Sequence, residues 1–301
     1  MPDDYPNLQS PISNLPSLIS NLPSPISTLQ FSQGSLQDYV DCPRRFQLRY
    51  LLMQPWPALI TEPPVESEQH LQRGADFHRL ARQHTLGLEP ERLAATIHDE
   101  TLARWWQTYL ACPPPDLPAA LRRAEVTVAA PVAGFRLVAR FDLLAAEPGV
   151  RFVVVDWKTS LRRPSRATLA RRLQTRVYRY LAVEAGAGYN NGQHPRPEQV
   201  EMVYWFAGFG GATERFPYDA DQHAADGAWL TSLIAEIVAR QEEIWPLTPD
   251  ERQCRFCNYR SLCERGVKPG FLGDLDDDPE GQSGALLPPE IDLEQIAEIE
   301  F

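Results

Sequence analysis

The sequence predicts an α/β fold in which helices flank a mixed central sheet. Apolar, strand-like runs cluster in the middle of the chain, and helix-like segments stand on both sides of them. Proline and glycine residues separate neighbouring runs, as they do at turns. This order of strands and helices is typical of the α/β class. With 301 residues, 43% of them hydrophobic, the chain can form one large domain or two ordinary ones.

The N-terminal half is predicted to be helical once an initial leader ends. Short helices are expected over residues 31–52, followed by a proline-rich turn. Two longer helices are predicted over residues 66–86 and 91–110. The first of them carries Gly74 and His78, which lie about one helical turn apart.

The middle of the chain changes to strand periodicity, and helices return afterwards. Three consecutive strands are predicted, joined by turns at residues 131–134 and at Pro148-Gly149. A helix, two more strands and a final helix follow. The predicted strands cover residues 125–128, 134–145, 150–157, 199–206 and 212–217, and the predicted helices cover residues 165–185 and 222–243.

Both ends of the chain differ in composition from the part between them. Residues 7–27 contain a seven-residue repeat whose prolines and serines are incompatible with a coiled coil. We therefore predict a disordered leader over residues 1–30, a folded domain over residues 31–268 and a flexible acidic tail over residues 269–301.

The net charge of −11 belongs mainly to the tail. The chain has 40 acidic and 29 basic residues, and ten of the acids follow Lys268, after which there is no lysine or arginine. Without those ten, the body carries 30 acids against 29 bases and is close to neutral. A near-neutral body is compatible with an anionic partner such as nucleic acid.

Arginines are concentrated directly after the strand predicted to end at residue 157. A helix of this composition can lie along a phosphate backbone. The alternative is an ordinary solvated helix face. The cluster consists of Arg162, Arg163, Arg166, Arg171, Arg172, Arg176 and Arg179.

Charged residues end a strand that is otherwise apolar. Phe152-Val153-Val154-Val155 leads into Asp156-Trp157-Lys158. Because side chains alternate along a strand, Asp156 and Lys158 point to one face and Trp157 to the other. Charges beside so apolar a run are retained only when they are paired or bind a metal. An isolated Asp-x-Lys is more often a surface salt bridge, which is the alternative interpretation.

A second carboxylate, Asp142, lies in a similar strand-like run just upstream. Two carboxylates beside a lysine suit a divalent cation and a phosphate, since Mg²⁺ and Mn²⁺ prefer carboxylate oxygen. The lysine would orient the nucleophile or stabilise negative charge in the transition state. The candidate site comprises His78, Glu125, Asp142, Asp156 and Lys158, with the backbone carbonyl of Trp157 as a further metal ligand.

The cysteines form a separate pattern. Their number is five, and the odd count without a secretory signal argues against a disulfide scaffold. Cys254, Cys257 and Cys263 form a C-x2-C-x5-C motif, and Cys42 precedes a proline far upstream. Four thiolates can bind either tetrahedral zinc or a cubane iron-sulfur cluster.

The order of these motifs is similar to that of one nuclease family. It runs Gly74-x3-His78, Glu125, Arg140-Phe141-Asp142, Asp156-Trp157-Lys158-Thr159 and Gln174-x3-Tyr178. Over residues 31–265 the chain resembles the RecB-like branch of the PD-(D/E)XK nuclease superfamily. Its cysteines resemble those of the iron-sulfur subgroup, which includes the nuclease domain of AddB and the CRISPR-associated RecB-like exonucleases.

The resemblance implies a restriction-endonuclease-like sheet and a metal-dependent DNA nuclease, with exonuclease activity expected. By this resemblance His78, Asp142 and Asp156 bind Mg²⁺ or Mn²⁺, and Lys158 is catalytic. Glu125 occupies a strand position where many members carry a glutamate. The family's common Asp-Tyr-Lys is Asp-Trp-Lys here, which leaves the charge pattern intact. Gln174 and Tyr178 match the family's Q-x3-Y element, which supports the site and contacts DNA, and Arg162 and Arg171 are further candidate DNA contacts.

For the cysteines the resemblance favours a 4Fe-4S cluster over zinc. The cluster would be a structural clasp that ties Cys42 to residues 254–263 and closes the fold. The expected substrate is DNA, single-stranded or with processed ends, in repair, recombination or defence. One alternative is a non-catalytic DNA-binding or scaffold subunit of a helicase-nuclease complex, and another is a zinc-bound interaction module.

Two further features concern partners and location. The chain has no G-x4-G-K-[ST] phosphate-binding motif, so any helicase would be a separate partner. No stretch approaches the roughly 20 apolar residues of a membrane helix. Asp3 and Asp4 stand where a secretory signal would be basic. We therefore expect a cytoplasmic protein with no membrane partner.

Overall fold

A mixed β-sheet lies at the centre of the computed structural model, which describes residues 29–55, 65–240 and 243–266. Within these ranges six strands form one sheet: β1 (Gln30–Ser32), β2 (Leu121–Val132), β3 (Phe135–Glu147), β4 (Arg151–Lys158), β5 (Val200–Phe206) and β6 (Ala212–Pro217). The predicted acidic tail, and all but the last two residues of the predicted leader, lie outside the described residues.

Helices cover both faces of this sheet. They are α1 (Gln33–Asp41), α2 (Pro43–Phe46), α3 (Val65–Thr85), α4 (Pro90–Ala94), α5 (Glu100–Ala111), α6 (Arg166–Arg171), α7 (Leu173–Glu184) and α8 (Ala220–Ala239). One turn of π-helix (Gln47–Leu51) continues α2, and short 3-10 turns include Glu251–Phe256 and Arg260–Cys263. The prediction of a mixed sheet flanked by helices is confirmed.

Strand β3 is the hub of the sheet. Along one edge it pairs antiparallel with β2 over nearly its whole length. Along the other edge it pairs parallel with β1 at residues 136–138 and antiparallel with β4 at residues 143–147. Strand β4 then pairs parallel with β5, and β5 antiparallel with β6. Among the described strands, the ladders to β1 and β4 therefore leave residues 139–142 of β3 without a partner on that edge.

The two faces of the sheet bury separate apolar clusters. Phe152 and Val154 of β4 pack with residues of α1, α7 and α8. Val153, Val155 and Trp157 pack against the aromatic residues of α3 and α5. This alternation is the one predicted for β4, and it places the Trp157 ring on the face opposite to Asp156 and Lys158.

Two predicted helices are each divided in two. The helix expected over residues 91–110 is interrupted because the Asp99 carboxylate accepts hydrogen bonds from the N–H groups of Thr101 and Leu102 (both 2.9 Å) and starts α5 afresh. The helix expected over residues 165–185 breaks at Arg172, which is extended. Such side-chain caps and single extended residues leave little trace in the apolar pattern.

Each helix in the described part of the chain is too short or too polar to cross a lipid bilayer.

Candidate active site

The candidate site lies where β3 and β4 separate. Their pairing ends at Leu143 and Val155, one residue before Asp142 and Asp156 would face each other. Instead, Oδ2 of Asp142 accepts a hydrogen bond of 2.7 Å from the backbone N–H of Trp157. The carboxylate therefore takes the place of a backbone partner and holds the strands at this opening.

Helix α3 brings His78 to Asp142. Nδ1 of His78 lies 3.2 Å from Oδ1 of Asp142. One turn earlier, Gly74 faces Thr159 so closely that a Cβ atom on Gly74 would lie 2.9 Å from the Thr159 hydroxyl oxygen. Phe77 is fully buried in the aromatic cluster behind the sheet. The Gly-x3-His spacing thus lets α3 approach Thr159 closely at Gly74 and places the imidazole of His78, one turn later, beside Asp142.

Strand β2 contributes Glu125 through an unusual backbone conformation. Its φ angle is +52°, in the left-handed region that a glutamate rarely adopts. The Glu125 carboxylate forms an ion pair with Arg140 (Oε2 to Nε, 3.1 Å). Ligand atoms of His78, Glu125 and Asp142 all lie within 4.8 Å of one another, which no other set of three histidine, cysteine or acidic side chains does in the described ranges. Strain of this kind is typical of functional sites.

Asp156, Lys158 and Gln174 form a neighbouring triangle. The Lys158 ammonium lies 2.8 Å from Oδ2 of Asp156 and donates a hydrogen bond of 3.0 Å to Oε1 of Gln174. The Gln174 amide donates a hydrogen bond of 2.6 Å to Oδ1 of Asp156. Asp156 is thus held by the lysine and the glutamine, and it is not one of the three residues that converge at His78.

The electrostatics of the site follow from burial and crowded carboxylates. Burial disfavours the charged imidazolium of His78, but the charge and hydrogen bond of Asp142 prevail and raise the His78 pKa to about 9. Burial raises the Asp156 pKa, and Asp142 adds to this effect. Burial also raises the Glu125 pKa. A site that holds a proton among three carboxyls is suited to exchange it for a divalent cation.

Asp142 behaves differently from its neighbours. Burial opposes its ionisation, but the charge and hydrogen bond of His78 and the Trp157 N–H outweigh burial and lower the Asp142 pKa. Asp142 is therefore the ionised carboxylate around which the others are arranged.

The comparison with protein families agrees with this geometry. The sequence profile of the PD-(D/E)XK nuclease superfamily matches residues 30–264, a range that contains every residue described above. The chain belongs to this superfamily. No curated protein sequence matches it.

Solved structures also resemble the chain. A crystal structure of an exonuclease candidate from Eubacterium rectale is 11% identical, has a TM-score of 0.49, and is matched over 85% of this chain and 96% of that one. The crystal structure of SSO0001 is 13% identical with a TM-score of 0.36, over 84% of this chain and 93% of that one.

The predicted DNA contacts differ in their surroundings. Gln174 reaches the site as described, whereas Tyr178, one turn later on α7, is buried with its ring 5.1 Å from that of Phe141. Arg162 and Arg171 are exposed. Other members of the arginine cluster bind carboxylates of the same chain: Arg163 and Arg166 contact Glu214 (2.6 and 3.0 Å), and Arg176 contacts Asp226 (2.6 Å). Part of the predicted basic face is therefore neutralised within the protein.

The predicted cysteine set comes from two segments that pack together. Cys42 stands between α1 and α2, and the N–H of Arg44 donates a hydrogen bond of 3.1 Å to the carbonyl of Pro246, near the segment that carries the other three. All five cysteines are free thiols. Burial raises the Cys263 pKa to about 11, and the charges of Cys257, Cys42 and Cys254 contribute to the shift.

The sulfur atoms of these four cysteines nevertheless do not lie close together. Among the residues that the structure describes, no three of these thiols lie within 4.8 Å of one another. The predicted closure of the fold by a four-cysteine cluster is therefore not shown by the structure.

Sequence reasoning missed two features of the carboxylate site and one of the cysteine region. The motif order contained Glu125 but not its left-handed backbone, and Gly74 but not its contact with Thr159. It also missed Arg45, which follows Cys42 by three residues and is buried beside Asp38 and Asp41. The i,i+3 spacing from a candidate ligand is the signal that could have found Arg45.

Proposed function

We propose that the chain is a metal-dependent DNA exonuclease that hydrolyses phosphodiester bonds in single strands or processed ends. The observation that supports this function best is the convergence of His78, Glu125 and Asp142 next to Lys158. One imidazole and two carboxylates form a donor set that suits Mn²⁺ or Mg²⁺. We propose these three residues as metal ligands, with Asp156 and the Trp157 carbonyl completing the set.

A bound divalent cation would supply Lewis acidity toward the phosphate and would lower the pKa of water. The protein supplies position and charge. Asp142 fixes both the imidazole of His78 and the opening between the strands. Gln174 forms hydrogen bonds to both the carboxylate of Asp156 and the ammonium of Lys158.

Lys158 is the proposed catalytic residue. Its side chain is only 16% exposed, and its ammonium lies 5.5 Å from the centre of the Tyr204 ring. Burial raises the pKa of Tyr204, so this ring stays neutral beside the ammonium. A lysine held in this way can orient a nucleophile or stabilise negative charge on the phosphate in the transition state.

The test is digestion of end-labelled single- and double-stranded DNA with Mg²⁺, Mn²⁺ or EDTA. We expect metal-dependent cleavage that Lys158→Ala abolishes. Lys268→Ala, which removes the only other lysine of the chain, is the matched control and should cleave normally. Equal cleavage by the wild type and Lys158→Ala would indicate a contaminant. DNA binding without cleavage by the wild type would favour the scaffold alternative.

We also propose that Cys42, Cys254, Cys257 and Cys263 hold a 4Fe-4S cluster with a structural role. Four sulfurs around zinc, each about 2.3 Å from the ion, would lie about 3.8 Å apart. No three of the described free thiols lie within 4.8 Å of one another, so the choice of the cluster over zinc rests on the resemblance of the cysteine pattern to the iron-sulfur subgroup. Protein purified anaerobically should be brown, with absorption near ~400 nm and iron and sulfide in cluster stoichiometry. Colourless protein with stoichiometric zinc would reverse this assignment.

The proposed helicase partner follows from a motif that the sequence does not contain. With no nucleotide-binding loop in the sequence, any unwinding of DNA requires a separate helicase. A cytoplasmic location in repair, recombination or defence is the setting in which we place this activity.

A further inference from the structure

A pair of buried hydroxyl groups joins α7 to β5 next to the triangle of Asp156, Lys158 and Gln174. Thr175 and Tyr204 are both fully buried, and their hydroxyl oxygens lie 2.7 Å apart. Thr175 directly follows Gln174 on α7, and Tyr204 is the β5 residue in register with Asp156. A hydroxyl is costly to bury among apolar side chains unless it has a hydrogen-bond partner, and here each supplies one for the other.

The direction of this hydrogen bond follows from a second contact of Thr175. Its hydroxyl oxygen also lies 2.6 Å from the carbonyl oxygen of Leu169 in α6, and a carbonyl can only accept. Thr175 has a single hydroxyl proton and donates it to Leu169, so the Tyr204 hydroxyl donates to Thr175. One side chain thus connects α6, the first turn of α7 and the middle of β5 across the helix break at Arg172.

The two elements joined in this way hold the Lys158 ammonium from two sides. Gln174 of α7 accepts a hydrogen bond of 3.0 Å from the ammonium, and the centre of the Tyr204 ring of β5 lies 5.5 Å from it. Gln174 also donates to Asp156 (2.6 Å). A shift of α7 relative to β5 would therefore move the amide away from both charged groups. The hydrogen bond between Thr175 and Tyr204 opposes such a shift.

We propose that Thr175 and the Tyr204 hydroxyl are positioning residues for Lys158, because they fix the separation between the Gln174 amide and the Tyr204 ring around the ammonium. This inference rests on the proposed catalytic role of Lys158. Both side chains are fully buried, so neither touches the substrate. Their loss should weaken an interaction made in the transition state, which lowers kcat and leaves KM for DNA unchanged.

The first test is Tyr204→Phe, which removes the hydroxyl and keeps the ring beside the ammonium. Thr175 still donates to Leu169, so no buried donor of this pair is left unpaired. We expect kcat for cleavage of end-labelled single-stranded DNA by the full-length protein to fall about tenfold, less than the roughly 100-fold loss that a displacement of about 1 Å can cause. KM should stay within about twofold of the wild type. Tm should fall by roughly 2–4 °C.

Tyr218→Phe is the matched control. It also removes a buried tyrosine hydroxyl, one that donates to Asp226 of α8 (3.0 Å) and has no contact with Gln174 or Lys158. Its Tm should fall by a similar amount while kcat stays at the wild-type value. An equal loss of kcat in both variants would show that the effect comes from stability alone and would overturn the inference.

The route through Gln174 is tested in a second background. Gln174→Ala removes the amide that Thr175 is proposed to position, so adding Tyr204→Phe to it should reduce kcat by less than about twofold further. A second tenfold loss in this background would mean that the Tyr204 hydroxyl acts independently of Gln174, against the proposal.

Two substitutions of Thr175 give an independent comparison. Thr175→Ser keeps the hydroxyl and should retain kcat near the wild-type value, whereas Thr175→Val has the same shape without the hydroxyl and should lose kcat as Tyr204→Phe does. This pair decides the question if Tyr204→Phe does not fold, as judged by circular dichroism. Folded variants that lack either hydroxyl and keep the wild-type kcat would overturn this inference alone, since cleavage abolished by Lys158→Ala would still support the nuclease function. A wild type that does not cleave DNA would overturn both.

Discussion

The carboxylate site around Asp142 and the cysteine region (Cys42 with residues 254–263) are both candidate metal sites, but they are built differently. The carboxylate site is assembled by three adjacent strands and one helix, and the candidate ligand atoms of His78, Glu125 and Asp142 already lie within 4.8 Å of one another. The cysteine region joins segments over 200 residues apart through short helices and turns, and its thiols stay separated within the described ranges. Ligands on paired strands can be held in position before metal binds, whereas ligands on turns can come together when metal binds.

The two regions also differ in their protonation. At the carboxylate site Asp142 has a lowered pKa, so a ligand is already ionised before metal binds. In the cysteine region burial raises the pKa of Cys257 and Cys263, so these free thiols stay protonated at neutral pH. We therefore expect substitutions at the carboxylate site to act on activity and substitutions in the cysteine region to act on stability.

The largest expected effect is that of Asp142→Asn. The amide oxygen can still accept the Trp157 N–H, so the strands stay open, but the charge that holds His78 and a cation is lost. We expect kcat/KM for DNA cleavage to fall by about 1000-fold, equivalent to roughly 4 kcal/mol, with little change in Tm. Activity within tenfold of the wild type would show that Asp142 is not a metal ligand.

Cys257→Ser tests the other side of the comparison. Loss of a metal present at about a thousand times its Kd removes about 4 kcal/mol, which lowers Tm by roughly 8–16 °C in a chain of this size. Below the new Tm, kcat/KM should stay within about twofold of the wild type, because distant sites act independently. A fall in activity at low temperature with unchanged circular dichroism would show that the two regions are coupled.

Gly74→Ala tests whether the helix approach matters to the carboxylate site. The new Cβ would lie 2.9 Å from the Thr159 hydroxyl oxygen, so α3 must shift at a cost of about 1–3 kcal/mol. The shift moves His78, and a displacement of about 1 Å can reduce activity by about 100-fold. The control is Gly74→Ala combined with Thr159→Ala, which removes the hydroxyl and should restore activity. Failure of this rescue would place the role of Gly74 elsewhere.

Much of the carboxylate site was accessible from the sequence because side-chain alternation is local. Alternation placed Asp156 and Lys158 together and Trp157 on the opposite face, as the structure has them. It carries no information on the distance between strands. The resemblance implied that Gln174 supports the site, but alternation could not show that it binds Asp156, or that Glu125 reaches Asp142 through a left-handed backbone.

The arrangement of the cysteines was less accessible from the sequence than that of the carboxylates. The resemblance to the iron-sulfur subgroup implied that Cys42 and the C-terminal thiols would be neighbours, and their mutual effect on pKa agrees with this. Spacing could not predict how far apart the free thiols would lie, because turns and side-chain contacts such as that of Gln47 with Trp245 (3.0 Å) set the distance. Helix breaks at Asp99 and Arg172 escaped prediction for the same reason, since single side-chain and backbone choices decide them.

The smallest expected effect is that of Asp99→Ala, which serves as a reference for a loss of stability without a loss of activity. Asp99 caps α5, is not a candidate ligand, and also binds Arg73 (Oδ2 to Nε, 2.7 Å). Asp99→Ala should cost about 1 kcal/mol with no change in activity or metal content. Backbone hydrogen bonds from α5 and the Arg73 contact lower the Asp99 pKa. A lowered pKa in the folded state means that the charge contributes stability above the unfolded value, about pH 4, and loses it as pH falls.

Asp99→Asn separates the cap from the charge, because the amide oxygen still caps the helix. Its free energy of unfolding should lie below that of the wild type at neutral pH, and the gap should close below about pH 4. A gap that persists at low pH would mean that shape, and not charge, accounts for the loss. Because neither variant touches a candidate ligand, any loss of activity beyond the unfolded fraction would show that a local disturbance outside the site can imitate a site defect. In that case the Cys257→Ser result would have to be corrected by the same amount before the two regions are compared.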